Sequence, residues 1–335
     1  MKRFCIAIAF ITGIFLSARA EETGEWHPAK APLMTRWAAE VSPTNALLEY
    51  PRPQLVRSDW MNLNGLWDYA VTVNSISNVP PFGGKILVPF PIESALSGVR
   101  KHFDENTKLW YHRIFSIPKS WNRQRVRLHF GAVDWQCDVW VNGHYIGQHQ
   151  GGYDPFTFDV TDALHWSTPE EVVVVARDPT DDGDQPRGKQ SRSPEGIFYT
   201  STSGIWQTVW LEPVPDVCID GLKAIPDVDN GGLRLRVAVN NLSENLRIEA
   251  AAFNGGQEVG SVTGLVNGEL ILNVPNAHLW SPDDPFLYDL TVKLKDGSRV
   301  VDSVSSYFGM RKIALSRDEQ GTMRIALNNK AIFQV

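Results

Sequence analysis

At 335 residues the chain exceeds one ordinary β-domain, and at about 100–200 residues per domain it has room for two. A composition of 43% hydrophobic residues with 26 Gly and 21 Pro describes a globular chain rich in turns and excludes a disordered one. The formal charge of −6 argues against nucleic acid or an anionic membrane as partner and suits neutral ligands.

Residues 1–20 read as a signal peptide, with Lys2-Arg3 ahead of an apolar run over residues 4–16 and Ala18-Arg19-Ala20 as the cleavage site. The run is too short to span a bilayer. Export to the periplasm or the extracellular space is therefore expected, with no membrane association after cleavage. Losing Lys2, Arg3 and Arg19 would reduce the basic count from 32 to 29 against 38 acids, a net charge of −9. Only Cys137 and Cys218 would remain of the cysteines. Export permits a disulfide between them, but Cys137 alternates with Val139 and Val141, where a free thiol behaves as a small apolar residue.

After a polar arm to about residue 34, short strands follow one another with turn signals between them. Trp67, Tyr69 and Val71 share one face of a strand that opens at Asn64-Gly65. Ile86-Leu87-Val88 is stopped by Pro89, and a strand from Leu109 ends at Pro118. Val126, Leu128 and Phe130 alternate with Arg125, Arg127 and His129. After Gly131 the alternation resumes, with Val133, Trp135, Cys137, Val139 and Val141 on one face and Asp134, Gln136, Asp138 and Trp140 on the other. Asn142-Gly143 is the strongest short-range hairpin signal, because both residues tolerate the positive φ of a type I′ turn. Thr161 is expected to N-cap a helical turn. The unbroken apolar run 172–176 predicts a strand buried on both faces. A polar segment, 178–194, then precedes a last strand over 204–213. Eleven of the 12 Trp lie at or before Trp210, and the character of the chain changes after Pro213 and Pro215. Leu233, Leu235, Val237 and Val239 alternate with polar partners, as do Tyr288, Leu290, Val292 and Leu294. These patterns predict an all-β chain: a jelly-roll, galactose-binding-like β-sandwich over 36–214, followed by an immunoglobulin-like β-sandwich over 217–313.

Four blocks carry a resemblance. They are Gly131-Ala132-Val133-Asp134-Trp135 with Val139-Trp140-Val141-Asn142-Gly143 and Gly152-Tyr153-Asp154-Pro155-Phe156; Trp110-Tyr111 through Pro118; Ser203-Gly204-Ile205-Trp206; and Trp280-Ser281-Pro282 with Phe308-Gly309-Met310-Arg311. Together they resemble the N-terminal sugar-binding and immunoglobulin-like domains of family-two glycoside hydrolases, the β-galactosidases, β-glucuronidases and β-mannosidases. The resemblance implies a retaining, exo-acting β-glycosidase whose two catalytic glutamates lie on a (β/α)₈ barrel, the acid/base following an asparagine. No Glu in this chain follows Asn, and residues 314–335 correspond only to the approach to such a barrel, which needs at least about 200 residues. No catalytic residue is therefore assigned, and the chain by itself is expected to be inactive.

Other chemistries find no footing. No H-E-x-x-H, no G-x-S-x-G and no phosphate loop occurs, so neither a metal nor a cofactor is expected. Asp178 to Asp184 has the start of an EF-hand loop, but Pro179 at its second position and Lys189 at its twelfth argue against calcium. Neither Asp134 nor Glu195 stands out as a catalyst. The best candidates for ligand contact are Arg187, Lys189 and Gln190, in a long polar loop carrying both charges. The resemblance supports them by position and not by motif, since a loop from this part of the first domain helps shape the family's sugar subsite. A solvated flap stays open as the other reading. The expected partner is carbohydrate, a β-glycoside, reached through the full-length enzyme. A free-standing carbohydrate-binding protein and a structural two-sandwich surface protein remain alternatives.

Overall fold

A computed structural model describes residues 26–241 and 245–333. The signal peptide expected at 1–20 lies outside them. Regular structure among the described residues is nearly all strand, with four short 3-10 turns, the longest being Arg36–Glu40. Among them no helix is long and apolar enough to cross a membrane.

The first unit is a jelly-roll sandwich. Its larger sheet runs in the order Gly84–Val88, Gly65–Val73, Thr107–Phe115, Glu170–Arg177, Gln136–Val141, His144–Gln150. Facing it are Met61–Asn62, Val209–Val214, Arg125–Phe130 and Phe156–Asp159. The alternation read from the sequence explains the layer between them. Val126, Leu128 and Phe130 from one sheet meet Trp67, Tyr111, Val139 and Val174 from the other, all fully or almost fully buried. Burying side chains of this size contributes about 1.5–3 kcal/mol each. The 172–176 run is buried on both faces, because Val173 and Val175 pack with Trp110 on the outer side of the sheet. At Asn142-Gly143 both φ angles are positive and Val141 pairs with His144, the two-residue hairpin that the sequence predicts.

Two local expectations are corrected. The alternation does not run unbroken from Val133 to Val141. Val133–Asp134 pairs with Gly204–Ile205, whereas Gln136–Val141 pairs with Glu170–Arg177, and the peptide between Asp134 and Trp135 is cis. The change of partner buries Asp134 and leaves Trp135 partly exposed. Thr161 does not cap a helix either. It opens the 3-10 turn Thr161–Ala163, where its hydroxyl accepts from the Val126 amide and donates to Asp159.

The second unit is an immunoglobulin-like sandwich. Ile219–Asp227, Gly232–Val239 and Leu270–Asn273 face a sheet ordered Gln257–Leu265, Leu246–Asn254, Tyr288–Asp296, Arg299–Phe308. Leu233, Leu235, Ile248, Leu272, Leu290 and Val292 fill its separate core. Cys137 and Cys218 are both buried free thiols, pushed up by burial to about 12 and about 11.

The arm before the first sandwich joins the two units. Val56 bridges to Ser305 of the second. The Arg57 guanidinium, 6% exposed, donates to Asp302 at 2.7 Å and the Ile219 carbonyl at 2.7 Å, and reaches Glu212 of the first sandwich at 3.3 Å. Beyond the second sandwich, Ile313–Arg317, Met323–Leu327 and Lys330–Ala331 form a small antiparallel sheet. Gln334 and Val335, where a barrel strand is expected to continue, lie outside the described residues.

Candidate functional site

The polar segment that leaves strand Glu170–Arg177 folds back over the rim of the first sandwich. Gln190–Ser191 pairs in parallel with Tyr199–Thr200, and Arg192 bridges Asp181 at 2.5 Å and Glu105 at 2.7 Å. Beneath it lies a pocket of about 250 Å³. Its walls are aromatic: Tyr199 comes from the segment, Tyr153 from the turn after Gly151-Gly152, and Trp206 from the link between Gly204–Ile205 and Val209–Val214, which splits the strand expected over 204–213. Trp206 is oriented by an indole N–H bond to the Gly152 carbonyl (2.7 Å), and Tyr153 meets its ring edge-on at 6.3 Å.

The floor is Asp134, only 4% exposed. Gly152 lets the chain pass close to it, since a Cβ there would stand 2.6 Å from Asp134 Oδ1. Burial, and then the neighbouring Asp178 and Glu93 carboxyls, push Asp134 up to about 7, against the bond it accepts from Gln190. At neutral pH this carboxyl can therefore accept or donate a hydrogen bond. An aromatic-walled cavity with one carboxyl and an amide at its base can hold a polyol ring, its C–H face on the aromatics and its hydroxyls on the polar floor.

Arg187, Lys189 and Gln190, the residues singled out from the sequence, all line this pocket. They are not equivalent. Arg187 donates to the Asp181 carbonyl (2.5 Å), and Lys189 sits 6.0 Å above the Tyr199 ring. Gln190 turns inward. Its amide donates to Asp134 (2.9 Å) and accepts from the Thr202 N–H (2.6 Å), so it braces the floor more than it faces a ligand. Sequence reasoning missed Asp134, Tyr153, Tyr199 and Trp206. Three of these stand inside the motif blocks, but strict alternation put Asp134 on the solvent face, and the strand break that buries it has no signature in periodicity. A larger groove, about 750 Å³, crosses the second sandwich, but its carboxylate, Glu269, is taken up by Arg234 and Arg236. Among the described residues no group of three or more His, Cys, Asp or Glu could hold a metal ion.

Comparison with known proteins shows the family of the chain. The model for the sugar-binding domain of glycosyl hydrolases family 2 matches residues 49–211, and a second model of the family matches 217–311. The chain belongs to glycosyl hydrolase family 2. A β-galactosidase of Thermoanaerobacter pseudethanolicus is 27% identical over 227 residues, 62% of this chain and 29% of that protein. A β-glucuronidase of Felis catus is 26% identical over 336 residues, covering 87% of this chain and 50% of its own length. A solved β-glucuronidase from Ruminococcus gnavus shares the fold, with a TM-score of 0.70 at 20% identity over 85% of this chain and 50% of that one. This family-2 chain thus spans half or less of the length of these three relatives.

Proposed function

We propose that the chain forms the non-catalytic, sugar-facing part of an exported retaining β-glycosidase, with the Asp134 pocket contacting the sugar. The observation that carries this reading is a buried carboxyl on the floor of an aromatic-walled pocket, inside the domain that the sugar-binding family model matches. A retaining mechanism needs two carboxyls about 5–5.5 Å apart on either side of the scissile bond. The pocket presents one. Glu93 and Asp178 do not line it and are engaged by Ser201 and Ser203 instead. The β-glucuronidase and β-galactosidase names of the relatives point to a β-glycoside as substrate of the whole enzyme. Export rests on the features of residues 1–20.

The test has two arms. The purified chain, offered nitrophenyl β-galactoside, β-glucuronide and β-mannoside, is expected to turn over none. Hydrolysis at about 1 s⁻¹ or faster refutes the non-catalytic reading. Galactose, glucuronate and mannose are then titrated while tryptophan fluorescence is followed. The sugar that binds should perturb Trp206, and Trp206→Phe should abolish the change. A free-standing carbohydrate-binding protein is the second reading, because all the pocket's walls come from this one chain. Micromolar affinity without any further domain would favour it, and millimolar affinity the first.

A further inference from the structure

The overall charge of −6 suits neutral ligands, but the rim of the Asp134 pocket has the opposite balance. Two cations line it, Arg187 and Lys189, one on either side of Gly188. Arg187 donates one N–H to the Asp181 carbonyl, and Lys189 lies 6.0 Å from the Tyr199 ring. Among the described residues neither is paired with a carboxylate. The nearby acids do not compensate them. Asp181 and Glu105 are both bound by Arg192, while Asp154, Asp182 and Asp184 are exposed and do not line the pocket.

A third donor stands beside these two. Gly188 has a φ of +60°, and a Cβ there would lie 3.5 Å from the Tyr153 hydroxyl. The phenol therefore reaches the chain between the two cations. Among the described residues it has no hydrogen-bond partner, so its O–H is free to donate. The rim is rich in donors and holds no carboxylate. The floor is the reverse, the Asp134 carboxyl braced by Gln190 at 2.9 Å. A ligand complementary to both ends carries hydroxyls at one end and negative charge at the other. The cavity of about 250 Å³ falls below the usual range of about 300–1,000 Å³ and suits one ring, not a chain of them.

We propose that the pocket takes a single acidic sugar ring, bearing a carboxylate or a sulfate, with its anionic group on Arg187, Lys189 and Tyr153 and its hydroxyls on Asp134. This assignment rests on the reading of the pocket as a sugar site, and it fixes the charge and the orientation of the ring. Carboxylate and sulfate oxygens both accept charge-assisted hydrogen bonds from guanidinium and ammonium groups. Turned the other way, the anion would meet the Asp134 carboxyl, a like charge in a confined site. A neutral ring would fill the cavity and leave both cations without a counter-charge.

Ligand-detected NMR titration of the whole 335-residue protein tests this with rings that differ only at C6. Methyl β-glucoside, methyl β-glucuronide and methyl β-glucoside 6-sulfate are compared, and the galacto series likewise. In at least one series an acidic member should bind about tenfold tighter than its neutral parent. The tighter of uronide and sulfate identifies the anion. Raising NaCl from about 50 mM to about 500 mM should shrink the preference, because screening weakens exposed charge pairs. Arg187→Gln and Lys189→Gln keep a donor without the charge, and each should cut the preference at least about threefold, whereas Lys189→Arg should retain it. Equal binding of neutral and acidic members in both series overturns the proposal and leaves the sugar site standing. A preference that both Gln variants keep in full overturns it as well, because the anion then lies elsewhere. If no ring of either kind binds, the sugar reading itself fails, and the proposal with it.

Discussion

Glu212 is wholly buried and still ionised. Burial alone would raise its carboxyl, but the contacts from His129, Arg52 and Arg57 override that and hold it at about 2. The Tyr50 hydroxyl donates to it at 2.8 Å, and Arg52 binds it at 2.5 Å. Its stabilisation is present above pH 4.5 and is lost as pH falls through about 2. Glu93 and Asp134 behave oppositely. Their raised values make a contribution that is present below about pH 4 and is lost as pH rises through about 7. The two limbs cross, and the protein should be most stable near pH 4, losing stability on either side. Urea denaturation from pH 3 to pH 8 measures this. In Asp134→Asn the alkaline limb should be shallower, and a wild-type profile that climbs steadily to pH 8 contradicts the assignment.

At the scale of elements, the site depends on a short pairing that joins two layers. Gly204 begins the two-residue strand opposite Asp134, with φ of +81°, and a Cβ there would collide with the Tyr111 hydroxyl. That hydroxyl accepts the Ile205 N–H at 3.1 Å, deep in the first core. Gly204→Ala therefore combines an unfavourable φ with a buried clash. It should cost about 2–4 kcal/mol, seen as a lower Tm, and should disturb the pocket by shifting Trp206. An alanine at Gly143, where φ is +77° but nothing lies within 4 Å, carries only the backbone penalty, about 1 kcal/mol. Equal losses at the two glycines would show that the Tyr111 contact does not matter.

For the molecule as a whole, the Arg57 contacts couple two cores that could otherwise unfold apart. Arg57 reaches Glu212 of the first sandwich and Asp302 of the second, and Asp302 also accepts the Ile219 N–H at 2.8 Å. Removing one partner of a buried ion pair leaves the others uncompensated, at about 3–5 kcal/mol. Arg57→Ala is expected to lose that much and to split calorimetric unfolding into two transitions. Wild-type protein should melt in one. A single, merely lowered transition in the variant would mean that the arm and the Val56–Ser305 bridge suffice to couple the units.

The sequence by itself determined the all-β class, the order of the two sandwiches and the Asn142-Gly143 hairpin. Period-two burial and the positive φ of a tight turn are local properties, written in residues next to one another. It also determined that Arg187, Lys189 and Gln190 share one loop. How each of them is turned at the pocket was decided by the tertiary structure, because Gln190 is drawn inward by Asp134, 56 positions away in the chain. The same holds for Asp134 itself and for His129. Alternation assigns both to the solvent face. His129 is covered by the stacked Trp210 ring and by Glu212, and Asp134 by its pairing with Gly204. Burial of a polar side chain, and the displaced pKa that follows, depends on what distant segments lay over it, and no periodicity along the chain records that.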